Sequence, residues 1–580
     1  MRQSSPPSKP SIAAADADAS AAAVVHAVAN GVANGGGRGT ALAAPKRPVV
    51  LVRDVEFLTQ GVVDRLTALS SKMQIRDFTG AADWFADDFL GHDPFSAPQA
   101  SAVALPRGAT SKALDPLRAR AVDRAGMLDA WRARIGPWRR VEHVHLKVRG
   151  AEFEQTKPPS WGRVDVSLEL IGETATGGRE SLRGRMWLGV VYSPAGWRVG
   201  GLELRELEVR HQREPMFTDV SRSAGVAHAG LRFGRPGHDS DGWQGLAVAD
   251  VDGDGWLDVF VPSSLRNFLY INGGDGQFTE QAEARGVALP GGGTGPVFFD
   301  VDGDGWVDLC LGYYGRELPD RSIEGSPVRY FRNAGEGRFE DRTETMGERV
   351  VTAASSLVAF DSQGDGWLDL FVAAYGRMDR ARNDSWLEAT NGAPNHLLVN
   401  VAGERFVDRT REAGLFDTRW TYAAAAADFD RDGRQDLYVA NNFGSNRLFR
   451  NVGDGRFEDV AEKLGVEERG NSMGALWGDV NSDGRLDLYV VGPESAAGKR
   501  VLGRVGGGAR DAQVRELMRM ANGNGLFLGS DSGLEDGPDD YPARDAGWAF
   551  GTVLADLDLD GHADVFCVNG FVTGDLPEDT

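Results

Sequence analysis

Six short loops in this chain carry oxygen-bearing side chains at alternating positions, the spacing by which a loop wraps a hard cation. The first reads DVDGDGWLD, Asp250 to Asp258. Positions one, three, five and nine are Asp250, Asp252, Asp254 and Asp258 in loop one, and Asp300, Asp302, Asp304 and Asp308 in loop two. Loop three has Asp361, Gln363, Asp365 and Asp369, and loop four Asp428, Asp430, Asp432 and Asp436. Loop five has Asp479, Asn481, Asp483 and Asp487, and loop six Asp556, Asp558, Asp560 and Asp564. Position seven is Trp256, Trp306, Trp367, Arg434, Arg485 or His562, from which the backbone carbonyl is the expected ligand. Calcium takes six to eight such oxygens, water included. Up to six Ca2+ sites are therefore expected. Gln363 is neutral and longer than Asp, so loop three is expected to bind most weakly.

The alternative is that these aspartates only close Asx turns. Six repetitions argue against it, because packed carboxylates without a cation repel one another. An EF-hand is disfavoured too. It needs a Glu at position twelve between two helices, and position twelve here is Val261, Leu311, Val372, Val439, Val490 or Cys567.

The loops recur at intervals of 50, 61, 67, 51 and 77 residues. Each sits among other repeated pieces: an Asn-led apolar run such as NFLYIN (267–272), a Gly-rich turn, and a tag such as FTEQAEARGV, FVDRTREAGL or FEDVAEKLGV. The tag also starts at Phe217, ahead of the first loop. One unit reads as four short strands, GLAVAD, LDVFVP, NFLYIN and QFTEQ. Four strands every fifty or so residues are the pattern of β-propeller blades. Separate β-sandwiches need longer units.

At these residues the chain resembles the FG-GAP (VCBS-type) repeats of integrin-α-like propellers. AFGTVLADLDLDGHADVF (549–566) carries the Phe-Gly start and the loop, without the Gly-Ala-Pro part. RLFRNVGDGRFEDVAEKLGV and GNSMGALWGDVNSDGRLDLYV look like the cartilage acidic protein/UnbV group. The resemblance covers 215–580. It implies a seven-bladed propeller, an extracytoplasmic location, and adhesion or ligand binding. Some polysaccharide lyases share the architecture, so fold alone does not give function. The sequence ends soon after loop six, so either the closing blade is truncated or Phe217 onward supplies closure.

The remaining sequence has another texture. Residues 1–47 are Ala/Gly-rich and read as a disordered tail; ASAAAVVHAVANGVA is a poor export signal, lacking Leu and following Asp16 and Asp18. Residues 48–213 show helical periodicity over 55–95 and 115–135, then four alternating strands. Helices before a curved antiparallel sheet resemble the nuclear-transport-factor-2-like (SnoaL-like) cone. That fold often holds a pocket, which His92, Asp93, His143 and His145 would line. The plainer reading is polar residues on a sheet, because no third ligand or base is recognisable.

The fold class expected is mainly β: a propeller with calcium loops (214–580) preceded by an α+β domain (48–213). The chain has 63 basic against 85 acidic residues, a net charge of −22, which speaks against nucleic acid as partner. No apolar run is long enough to span a membrane. Two cysteines, Cys310 and Cys567, exclude a disulfide framework and read as free thiols. No Ser-His-Asp motif, P-loop, CxxC or HExxH is present. The expected partner is a protein or glycan; the alternative is a lyase-like enzyme on the propeller. Tryptophans at position seven either stack on sugars or pack on the next blade, packing being favoured.

Overall fold

A computed structural model describes residues 52–569 apart from short internal stretches, of which 228–244 is the longest. The chain divides into two compact units, with a boundary between Thr218 and Asp219.

The first unit is α+β. A helix spans Val52–Gln74 and a second Arg124–Ile135, the latter capped by the Asp123 carboxylate, which accepts from Gly126 N. Four long antiparallel strands follow, Arg140–Phe153, Trp161–Glu173, Arg179–Ser193 and Gly196–Gln212, each paired with the next. Leu58, Val62, Leu66 and Met73, at helical spacing, bury one stripe of the first helix in the core that Val144, Leu146, Val164, Leu182 and Leu204 complete. Two segments expected as helix are not. Phe85–His92 is a strand, parallel to the Gly196–Gln212 strand and antiparallel to Ala121–Asp123. The helix expected from 115 begins only at Arg124. Sheet pairing overrides the local pattern in both places.

The second unit is built from five four-stranded antiparallel sheets and two two-stranded sheets, among the described residues; the smaller of the two pairs Arg316–Glu317 with Ile323–Glu324 in the connection of blade two. Blade one is Ala247–Ala249, Asp258–Val261, Phe268–Asn272 and Phe278–Glu280, paired in sequence order. Blades two to five repeat this meander from Gly293, Ala354, Trp420 and Gly474. The pair Ala549–Ala555 and Asp564–Asn569 carries loop six. These are the four strands per unit read from the repeat.

Each core cluster draws on two successive sheets. Phe260 and Leu269 of blade one meet Leu309 and Phe331 of blade two. Cys310 and Tyr330 meet Leu370 and Leu398 of blade three, and Phe371 and Leu397 meet Leu437 and Phe449 of blade four. Tyr438 and Leu448 meet Leu488 and Phe527 of blade five. Face-to-face packing of neighbouring sheets is how a propeller buries its apolar residues. Cys310 is buried and Cys567 partly so, and both are free thiols.

The tag at 217–226 behaves like those inside the propeller. Ala224 O accepts from Phe278 N, as Arg285 O does from Phe339 N and Ala413 O from Phe457 N. Phe217 is 61% exposed, whereas its counterparts Phe339, Phe406 and Phe457 are buried.

Candidate metal centres

All six loops fill an eight-residue connection between the first and second strands of their sheets. The local chemistry is the same in each. The position-one carboxylate accepts from the amides behind it: Asp250 from Gly253, Asp254 and Gly255, and Asp428 from Asp432 and Gly433. The position-five carboxylate accepts from the amide of position seven, as Asp254 from Trp256, Asp365 from Trp367 and Asp560 from His562. Gly255, Gly305, Gly366, Gly433 and Gly561 sit at φ between 86° and 90°, where a side chain is strained.

The position-nine aspartates have a role the spacing did not reveal. Asp258 Oδ2 accepts from Val251 N (3.0 Å) and Oδ1 from Asn272 N (2.8 Å). Asp308, Asp369 and Asp436 repeat both bonds with Val301 and Asn333, Ser362 and Asn400, and Phe429 and Asn451. One carboxylate thus ties the loop to the third strand. These groups are buried, and desolvation pushes Asp308 and Asp369 up to about 6 and Asp436 to about 7.

The asparagines late in the third strands were also missed. Asn333 Nδ2 donates to Val251 O, Asn400 Nδ2 to Val301 O and Asn451 Nδ2 to Ser362 O. Each acceptor is position two of the preceding blade's loop, so blades two, three and four each hold their neighbour's loop in place. The signal was present in NFLYIN and its repeats, as an Asn at the end of the run as well as at its start.

Carboxylate oxygens come within 4.8 Å of one another in four groups: Asp250, Asp252 and Asp254; Asp300, Asp302 and Asp304; Asp428, Asp430 and Asp436; Asp556, Asp558 and Asp560. Among the described residues, no such acid triplet forms at loops three and five, where Gln363 and Asn481 replace an acid. Asn481 instead bonds Asp483 through both ends of its amide. The fit to a cation rests on one further fact. Asp252 Oδ1 and Asp430 Oδ1 are buried and without a hydrogen-bond partner. A buried carboxylate oxygen left bare is costly, and a cation among these acids relieves it. The acid clusters are therefore able to hold a metal ion, and oxygen donors of this kind suit calcium.

Position seven packs on the preceding loop. The Trp306 ring lies over Gly253 and the Trp367 ring over Gly303 and Gly403, close enough that a Cβ on these glycines would touch the indole. Trp256 rests against Gly274 and stays 51% exposed. Packing, not a sugar platform, accounts for Trp306 and Trp367. Arg434 pairs with Asp432, Arg485 with Asp531, and His562 Nδ1 lies 2.8 Å from Ser482 Oγ in loop five.

The four polar residues of the first unit are not brought together as a site. A register shift between Val141 and His143 turns His143 and His145 outward, both exposed, with rings 5.7 Å apart. Asp93 is buried elsewhere, paired with Arg120 at 3.3 Å and accepting from Phe95 N. No helix among the described residues is long and apolar enough to cross a membrane.

A family model described as FG-GAP-like repeat matches residues 250–311 and 428–490. Cartilage acidic protein 1 of Homo sapiens is 26% identical over 309 residues, covering 48% of this chain and 43% of the human protein. The Xenopus tropicalis counterpart is also 26% identical, over 310 residues, so the chain spans less than half the length of the curated relatives it matches. A solved Agrocybe aegerita lectin that recognises non-reducing terminal N-acetylglucosamine aligns with 65% of this chain and 81% of its own, at 15% identity and TM-score 0.33. A Kribbella flavida protein aligns with 26% of this chain and 92% of its own, at 14% identity and TM-score 0.19. Together with the blade meander and the sheet-to-sheet cores, the match places FG-GAP-like repeats at 250–311 and 428–490 within a mainly β unit of propeller-type blades, preceded by an α+β domain.

Proposed function

We propose that the chain is a calcium-loaded, extracytoplasmic binding module that engages a protein or glycan through one rim of its propeller. The observation that supports this is the division of labour between the two ends of each blade. The end carrying the acid loops is uniform. At the other end, the connections between second and third strands have 6, 15, 21, 3 and 33 residues in blades one to five. Long, variable loops on a rigid scaffold are where recognition is built.

That end also carries polar and aromatic side chains in numbers a plain turn does not need. Tyr375, Trp420, Tyr422 and Phe443 form one ring cluster with centroids 5.3–6.5 Å apart. Glu388 pairs with Arg469 at 3.0 Å beside it. In blade five this connection contains a helix, Ala512–Asn522, anchored by Leu517, Met520 and Ala521. The calcium ligands are positions one, three, five, seven and nine of each loop. The ion would supply fixed positive charge that holds the acid oxygens together.

A glycan and protein array probed with the full chain, with calcium and with EDTA, tests the reading. Calcium-dependent capture of a defined ligand class supports it. Turnover of a uronic-acid polymer replaces binding with an enzymatic role.

A further inference from the structure

Third-position acids in these loops do not stand alone. Arg332 donates from Nε to Asp302 and from Nη2 to Asp304 of loop two. Arg450 ion-pairs with the matching acids in blade four, its guanidinium lying against Asp430 and donating from Nη2 to Asp432. Both arginines occupy the residue before the third-strand asparagine that ties the preceding loop. In loop one, Arg285 Nη2 reaches Asp252 Oδ2 at 2.9 Å from the following turn. The equivalent third-strand residues are Val399 in blade three and Leu528 in blade five, which are apolar. Those are the blades whose third position is Gln363 or Asn481 rather than an acid. In these five loops, an acid at position three is accompanied by an arginine, and a neutral residue there is not.

We propose that Arg332 and Arg450 are resident counter-charges for the third-position aspartates and set the calcium affinity of their loops. The inference rests on the calcium reading above. The geometry leaves room for both cations at once. In loop four Arg450 takes Asp430 Oδ2, while Oδ1 is the buried oxygen without a partner. The guanidinium keeps the carboxylates together in the metal-free loop and lowers the charge the ion feels. Four aspartates and one arginine leave loop two with three net negative charges, the same as loop three with its three aspartates. Loop four goes further, since Arg434 also reaches Asp432. The extra acid therefore does not make loop two a much tighter site than loop three, and the ranking expected from aspartate counts alone is levelled.

The test uses the full chain with Trp256→Phe and Trp367→Phe, so that Trp306 is the tryptophan within loops one to three that sensitises bound terbium. Because the Trp306 ring also lies over Gly253 of loop one, calcium displacement of terbium luminescence is compared between variants that differ only at loop two, and melting in EDTA reads the metal-free state. Arg332→Ile is expected to tighten calcium about tenfold, because a positive charge a few ångströms from the ion is removed. It is also expected to lower the metal-free melting temperature. Asp302→Asn is expected to weaken calcium, and the double variant to return within about threefold of the parent. Arg332→Ile with calcium affinity unchanged or weaker overturns the proposal, as does a double variant whose effects simply fail to compensate. If Arg332→Ile does not fold, Arg450→Ile decides, through the calcium concentration that half-restores its melting temperature. That concentration falls if Arg450 is a counter-charge and rises or stays if it is a strut. A parent chain with no calcium-competed terbium signal overturns both the calcium reading and this one.

Discussion

At one end of the blades, every connection has eight residues and the same hydrogen bonds; at the other, connections run from 3 to 33 residues and share little. Both ends belong to the same sheets, so strand pairing is not what separates them. The difference is what each end is tied to. The uniform end is locked by the position-nine carboxylate within a blade and, at loops one to three, by a third-strand asparagine from the next. A residue inserted there would break bonds in two blades. The variable end answers only to local packing, so it accommodates a hairpin, a long coil or a helix. Constraint at one rim is what frees the other to diversify.

The sharpest way to break this comparison is to remove the cation. Excess EDTA is expected to lower the melting temperature of the propeller by more than about 10 °C, since each site at ten times its Kd adds ~1.4 kcal/mol and several sites add. An unchanged calorimetric melt would reduce the uniform rim to a set of turns. Next in size, Asn400→Ala deletes bonds to Val301 O (2.9 Å) and Leu368 O (3.3 Å) in a buried setting. It is expected to cost about 2 kcal/mol in urea unfolding. A cost near zero would mean that blades do not depend on their neighbours. Gly303→Ala is expected to cost about 1–2 kcal/mol, because φ is 74° and the Trp367 ring lies 3.0 Å from the added carbon.

Replacing 492–524 with a three-residue link of the blade-four kind tests the opposite rim. The calcium-dependent melt should persist while array binding changes. Loss of the melt would show that the helix is part of the scaffold. A pH-dependent effect is expected at Glu468, whose carboxyl burial pushes up to about 7. Its ordinary value is lower, so the stabilising neutral form is present at pH 5 and is lost as pH rises through 7. Glu468→Gln should therefore melt with the parent at pH 5 and above it at pH 8.

The loops were legible because their spacing is dictated by a point in space, and a point leaves a fixed period in the chain. The blades were legible because strands alternate and turns need glycine. The second role of Asp258 and its counterparts was not, since a carboxylate reads alike whether it faces an ion or two amides. Arg332 and Arg450 were invisible for a similar reason: a guanidinium two strands away from an acid has no fixed sequence interval to it. In the first unit, FADDFLGH reads as helix because Phe85 and Phe89 are four apart, yet both are buried on a strand that the Gly196–Gln212 strand recruits. There the deciding partner lies more than a hundred residues downstream.

The asparagine ties have a practical meaning for anyone grafting blades between proteins of this kind. Asn333, Asn400 and Asn451 complete the loop of the blade before their own. The unit that folds as a sheet is therefore shorter than the unit that owns a finished loop, which runs on through the third strand of the next blade. A transplant cut cleanly between sheets would carry a loop whose lock it left behind, and would bring a lock for a loop it had never met. A graft therefore has to restore, at its junction, the asparagine that matches the last loop it carries.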